Sequence, residues 1–157
     1  MNPMQFSDWI HRYRQAMYED AIKDATTSTL RVLADDFGFK DEQISEILSK
    51  RKFMKQIPKL IVGREKYREI VNSSKEKINE WLMAETMKMY DKGTAEATKS
   101  IFDVLEDKFN FTKEDIKKLS NATHETMQAI NLQLVTANEI QDGLAQEGLK
   151  SMNEIER

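Results

Sequence analysis

Apolar residues recur every three or four positions near the start of this chain. Trp9, Tyr13, Met17, Ala21, Ala25, Ser28 and Val32 form one line, and Ile10, Ile22, Thr29 and Leu33 widen it. This is the spacing of one helical face, and it predicts a helix of about thirty residues. Ser7, with Phe6 before it, reads as the N-cap. The pattern stops at Phe37-Gly38-Phe39, where glycine is the residue best able to take a left-handed C-terminal cap. Asp41 then opens a second helix that presents Ile44, Ile47 and Leu48.

The same pattern returns 72 residues later. Of the forty pairs from Trp9/Trp81 to Leu48/Ser120, thirteen are identical, where about two or three are expected at ordinary residue frequencies. The identities include Trp9/Trp81, Met17/Met89, Tyr18/Tyr90, Ala25/Ala97, Ser28/Ser100, Val32/Val104, Leu33/Leu105, Phe37/Phe109, Phe39/Phe111 and Ile44/Ile116. Asn110 stands where the first corner has Gly38, and Thr112 with Asp115 reads as a capping box for the following helix. The small pairs Ala25/Ala97 and Ser28/Ser100 predict close approach by another helix. Asp35 and Asp107 are also shared; an acid in the last helical turn opposes the macrodipole, and pairing with a neighbouring Lys or Arg is the other reading.

The expected fold is therefore all-α: a helical bundle built by tandem duplication of a long helix, a Phe-x-Phe corner and a second helix. The expected organisation is a first helical repeat over 1–50, a basic linker with a short helix over 51–74, a second repeat over 75–120, and a C-terminal helix over 121–157. Within the linker, Tyr67, Ile70 and Val71 predict a short helix over about 64–72. Ser73 and Glu76 read as the capping box of the second long helix. Helical spacing through Met127, Ile130, Leu134, Ala137 and Leu144 extends the pattern over 121–150. Two similar apolar faces can satisfy each other within one chain or exchange between two, so a homodimer stays open.

Composition narrows the class. Charged residues are 32% and hydrophobic ones 39%, which suits a helix-rich folded domain rather than a disordered chain. Cysteine is absent, which removes disulfides and thiolate metal sites and points to a reducing compartment. The N-terminal residues lack the pattern of a signal peptide, and no run approaches the roughly 18 apolar residues of a membrane span. A cytoplasmic protein without membrane contact is expected.

Charge is unevenly placed. Between residues 50 and 69, Lys50, Arg51, Lys52, Lys55, Lys59, Arg64, Lys66 and Arg68 face only Glu65 and Glu69, a net of +6 in a chain whose total is −3. The equivalent stretch after the second repeat, residues 122–141, has no Lys or Arg. A basic segment of this kind contacts an acidic protein surface or phosphates, or else is a solvated face. No glycine-rich phosphate loop accompanies it, and aromatic interleaving is limited to Phe53 and Tyr67. Thr126–Asn138 is the opposite case, thirteen residues without a charge. It reads as a buried central helix, with an oligomer or partner interface as the other reading.

Catalytic signals are faint. His124-Glu125 lacks the second histidine of a zinc-protease helix, and His11 is isolated. Asp103 with Glu106 and Glu139 with Asp142 have the i,i+3 spacing by which all-helical nucleotide pyrophosphohydrolases hold magnesium. The first repeat has Arg31 and Ala34 in place of Asp103 and Glu106, so the repeated unit does not require them. No cofactor or metal is expected, and the chain reads as non-enzymatic.

The segment Val32-Leu33-Ala34-Asp35-Asp36-Phe37-Gly38-Phe39 resembles a corner motif in small helical proteins of phages and prophages of low-GC Gram-positive bacteria. There glycine and basic residues follow the corner, whereas here Lys40-Asp41-Glu42-Gln43 follows. The resemblance spans some twenty residues per repeat. It implies a phage or mobile-element setting, and with it the host cytoplasm. Proteins of that setting regulate or inhibit host proteins by binding them. The leading expectation is thus a protein-binding regulator or inhibitor, host or phage protein being its target. The alternative is a nucleic-acid-binding accessory protein using the basic 50–68 segment, and the minor one is a magnesium-dependent nucleotide hydrolase.

Overall fold

The computed structural model describes residues 1–155, and every regular element among them is helical. Glu156 and Arg157, the end of the C-terminal segment expected over 121–157, lie outside the described residues. The elements are α1 (Pro3–Phe37), α2 (Asp41–Lys50), α3 (Arg64–Val71), α4 (Lys75–Lys108), α5 (Lys113–Asn131), α6 (Ala137–Gln146) and a short 3-10 helix (Lys150–Glu154). The chain divides into two compact units. One contains Met1–Ala21 and Met54–Gly93; the other contains Ile22–Phe53 and the chain from Thr94 onward.

Helix starts differ from the sequence reading in two places. Ser7 is not a cap but a buried residue inside α1. The start is Asn2-Pro3, where the Asn2 N–H donates to Gln5 Oε1 and the Gln5 N–H donates to Asn2 Oδ1, both at 2.9 Å. Proline at the first helical position needs no N–H partner, and the reciprocal bonds satisfy two that would otherwise be orphaned. Ser73 likewise does not open α4. Its hydroxyl donates back to the Glu69 carbonyl at 2.6 Å, closing α3, and Ser74 Oγ accepts the Lys77 N–H at 3.3 Å. Thr112 and Asp115 do form the expected reciprocal cap of α5, at 2.9 and 3.1 Å.

The two long helices end alike. Gly38 (φ 69°) and Asn110 (φ 55°) are left-handed, and the next residue reaches back to the helix: Phe39 N–H to Leu33 O at 3.0 Å, Phe111 N–H to Leu105 O at 3.2 Å. The corner phenylalanines meet one another, with Phe37–Phe111 and Phe39–Phe109 centroids 5.1 Å apart and Phe39–Phe111 edge-on at 5.8 Å. Around them lies the core of the second unit, which includes Leu30, Leu33, Ile44, Ile101, Leu105 and Leu119. Asp35 lies 3.3 Å from Arg31 and Asp107 3.6 Å from Lys108.

The reading of 121–150 as continuous helix, with Thr126–Asn138 as a buried central helix, is corrected. Helix α5 stops at Asn131 and α6 starts at Ala137. Gln133 is left-handed (φ 62°), its N–H bonded to Ile130 O and the Leu134 N–H to Ala129 O. That pair of bonds closes a Schellman turn. Thr136 then caps α6, accepting the Glu139 N–H at 3.1 Å. Spacing alone could not reveal the break, because Leu134 keeps helical register with Met127 and Ile130 across it. Beyond the break, α6 buries Ile140, Gln141 and Leu144, and Gln141 Nε2 donates to Thr27 Oγ1 at 2.8 Å.

In the first unit Phe6, Ile10, Val62 and Ile70 form the buried core, with Trp9, Tyr67, Trp81 and Leu82 packed against it. Gly93 marks the approach of α4 to α1: a Cβ there would stand 2.6 Å from the Tyr18 carbonyl oxygen and 2.9 Å from Ala21 Cβ. Among the described residues no helix is long and apolar enough to cross a membrane.

Candidate functional site

Residues 51–63 connect α2 to α3 without helix or strand. A backbone outside helix and sheet must find other partners for its N–H and C=O groups. From Met54 to Val62 those partners are side chains of α1. Tyr18 Oη accepts the Met54 N–H at 2.9 Å, and Gln15 accepts the Ile57 N–H at 2.9 Å while donating to the Lys55 carbonyl at 2.8 Å. Arg14 Nη1 donates to Pro58 O at 3.3 Å, and Ser7 Oγ accepts the Val62 N–H at 2.9 Å. Partners fall along α1 in reverse order, so the strap runs antiparallel to the helix. Ile57 and Val62 point inward, 3% and 5% exposed.

Arg14 also faces Glu85 of α4 at 3.8 Å, with the two side chains only 11% and 12% exposed. A pair this sheltered is weak evidence of net stability, but losing one member strands the other charge. Strap, α1 and α4 thus meet at Arg14.

With Ile57 and Val62 turned inward and Ile61 left 71% exposed, the strap presents its cations to solvent. Lys55 and Lys59 are exposed, as are Arg64, Lys66 and Arg68 on α3. Lys59 donates to the Asp8 carboxylate, which holds the Asp8 carboxyl below its ordinary range. Lys66 pairs with Glu69 at 3.4 Å, while Arg64 and Arg68 stand one helical turn apart. These five cations belong to the first unit. Lys50, Arg51 and Lys52 belong to the second: Lys50 bonds Glu46 at 2.9 Å, Arg51 lies 5.2 Å from the Phe53 ring centroid, and the Lys52 N–H donates to Ser100 Oγ.

Two of the four carboxylates considered for magnesium have local partners. Asp103 bonds Lys99 at 2.8 Å, and Glu139 accepts from Thr136 Oγ1 at 3.2 Å. Among the described residues no group of three or more His, Asp or Glu side chains could hold a metal ion, so Asp103, Glu106, Glu139 and Asp142 do not converge. A depression lined by Asp35, Asp41, Glu42 and Glu147 is already tied across, since Asp41 accepts the Ser151 N–H at 2.8 Å.

The sequence reading missed Ser7, Arg14 and Gln15 as the clamp. A signal was present: Ser7 and Arg14 are polar residues seven apart, in line with the apolar face. Also missed was the turn after α5, which leaves Leu132 70% and Leu134 76% exposed.

The molecule is thus an all-α protein with an exposed, clamped basic strap. No protein-family model, curated protein or solved structure matches the chain.

Proposed function

We propose that this chain is a non-enzymatic protein-interaction module, a regulator or inhibitor that acts by docking on another protein, of the kind phages encode. The observation that carries the reading is the clamped strap. Four α1 side chains hold Met54–Val62 in one path along the helix and leave its lysines facing water. A flexible basic tail would lose ordering entropy on binding; a strap already ordered loses little. No glycine-rich phosphate loop accompanies these cations and aromatic interleaving is limited to Phe53 and Tyr67, which favours an acidic protein surface over nucleic acid.

Duplication is part of the proposal. The shared left-handed corner, with a hydrogen bond six residues back in each case, supports one unit used twice. Of the four clamp residues Tyr18 is kept as Tyr90, but Ser7, Arg14 and Gln15 have Asn79, Thr86 and Met87 at the equivalent positions, so the full clamp belongs to one copy alone. In that history the apolar face and corner serve the fold, and the divergent linker took on the binding role.

Affinity purification from the native cell, followed by binding with the purified partner, tests the reading. The triple variant Lys55→Glu, Arg64→Glu, Arg68→Glu is expected to keep its helical spectrum and bind at least tenfold more weakly. Undiminished partner binding by this variant rejects the strap as the contact. Tight binding to a DNA or RNA oligonucleotide, falling steeply with salt, replaces the protein partner with a nucleic acid.

A further inference from the structure

The turn between α5 and α6 breaks three local rules at once. Left-handed backbone falls to glycine or asparagine at the Phe-x-Phe corners, but to Gln133 here, at φ 62°. In a Schellman turn the residue after the left-handed position usually packs back on its own helix. Phe39 does pack at its corner, 7% exposed, while Leu134 is 76% exposed. Leu132, one residue before Gln133, is 70% exposed. Neither leucine belongs to the buried core of this unit or packs against it, and backbone strain beside solvated apolar side chains gathers where a protein meets a ligand. The turn itself is well made, its amides bonded at 2.9 Å (Leu132 to Gln128, Gln133 to Ile130) and 3.0 Å (Leu134 to Ala129), so the leucines are displayed from a closed turn.

Charge indicates what receives them. Residues 126–138 carry none, in a chain that is 32% charged, and across 122–141 there is no Lys or Arg. The exposed carboxylates Glu125 and Glu139 bracket the uncharged stretch. A charged floor beneath the leucines would be desolvated without a counter-charge, whereas a basic rim would meet Glu125 and Glu139. We infer that Leu132 and Leu134 form a docking tip that inserts into an apolar, uncharged pocket with a Lys/Arg rim on a partner protein. This rests on the protein-binding reading above and adds a contact separate from the basic strap.

The test places a photo-crosslinking residue at Gln133 or at Lys55 in the full chain, expressed in its native cells, and maps each cross-link on the captured protein. Binding by purified partner is then measured for the Leu132→Ser, Leu134→Ser double variant and for Gln133→Gly. The expected result is a cross-link from position 133 into an apolar pocket bordered by Lys or Arg. With it comes at least a tenfold loss of affinity in the serine variant, whose unfolding midpoint stays unchanged, and none in Gln133→Gly. A cross-link to a second copy of this chain, wild-type affinity in the serine variant, or a core-like fall in its unfolding midpoint each overturns the tip. Capture from Lys55 but not from 133 overturns the tip and leaves the protein-binding reading standing; capture from neither overturns both.

Discussion

Single residues at the corners decide where the long helices stop. Gly38 and Asn110 hold the same left-handed conformation, at φ 69° and 55°. A side chain there meets the following carbonyl, at a cost of about 1–2 kcal/mol. Gly38→Ala is therefore expected to lower stability by about 1 kcal/mol in urea unfolding, although no atom lies within 4 Å of the added carbon, so the loss is conformational rather than steric. Gly93→Ala is the reverse case. Alanine is the better helix former by about 1 kcal/mol, yet its methyl would sit 2.6 Å from the Tyr18 carbonyl oxygen. Net destabilisation of about 1–3 kcal/mol is expected, because backbone rather than a flexible side chain must move. At the α5 cap, the Thr112 N–H, followed by its hydroxyl, holds the Asp115 carboxyl below its ordinary range. Its folded pKa being the lower, Asp115 stabilises the helix start above the ordinary carboxylate range and loses that effect as pH falls through the folded value. An NMR titration should find the Asp115 midpoint depressed, and Thr112→Ala should raise it.

The strap is the element whose position the sequence conceals. Its composition marks it as a linker, and the short helix expected over about 64–72 is present as Arg64–Val71. Its path, however, depends on residues 36 to 55 positions away, such as Tyr18 for Met54 and Ser7 for Val62. No local pattern encodes pairings of that length. Gln15→Ala removes the acceptor for the Ile57 amide and the donor to the Lys55 carbonyl, and it should speed hydrogen exchange at Ile57 most. If exchange at Ile57 stays as in the wild type, the side chain is not the clamp. The turn after α5 escaped notice for a related reason. Its residues keep helical spacing, and the glutamine that breaks the helix is not a residue that signals a left-handed turn.

For the whole molecule, the two units have separate buried cores but share their long helices: α1 and α4 each contribute residues to both. Both tryptophans, Trp9 and Trp81, fall in the first unit. Leu105→Ala removes a fully buried side chain from the second unit and should cost about 2–5 kcal/mol. Because an unbroken helix transmits loss of order along its length, the tryptophan fluorescence and circular dichroism transitions should move together. A fluorescence transition left in place would show that the units unfold separately.

The sequence by itself determined the helical class, the long helices, their Phe-x-Phe ends and the cap at Thr112. Each depends on neighbours within a few residues or on a periodic face. It also located the charge, since a run of eight cations is visible without coordinates. Only the tertiary structure decided that the cationic segment is clamped rather than free, that Asn2 and Ser74 rather than Ser7 and Ser73 start the helices, and that the uncharged stretch ends in an exposed turn. Those outcomes turn on which of several competent hydrogen-bonding groups meets which. For Ser7 and the strap, contacts distant in sequence settle that competition; at Ser74 and Gln133 it falls among near neighbours that spacing and propensity do not rank.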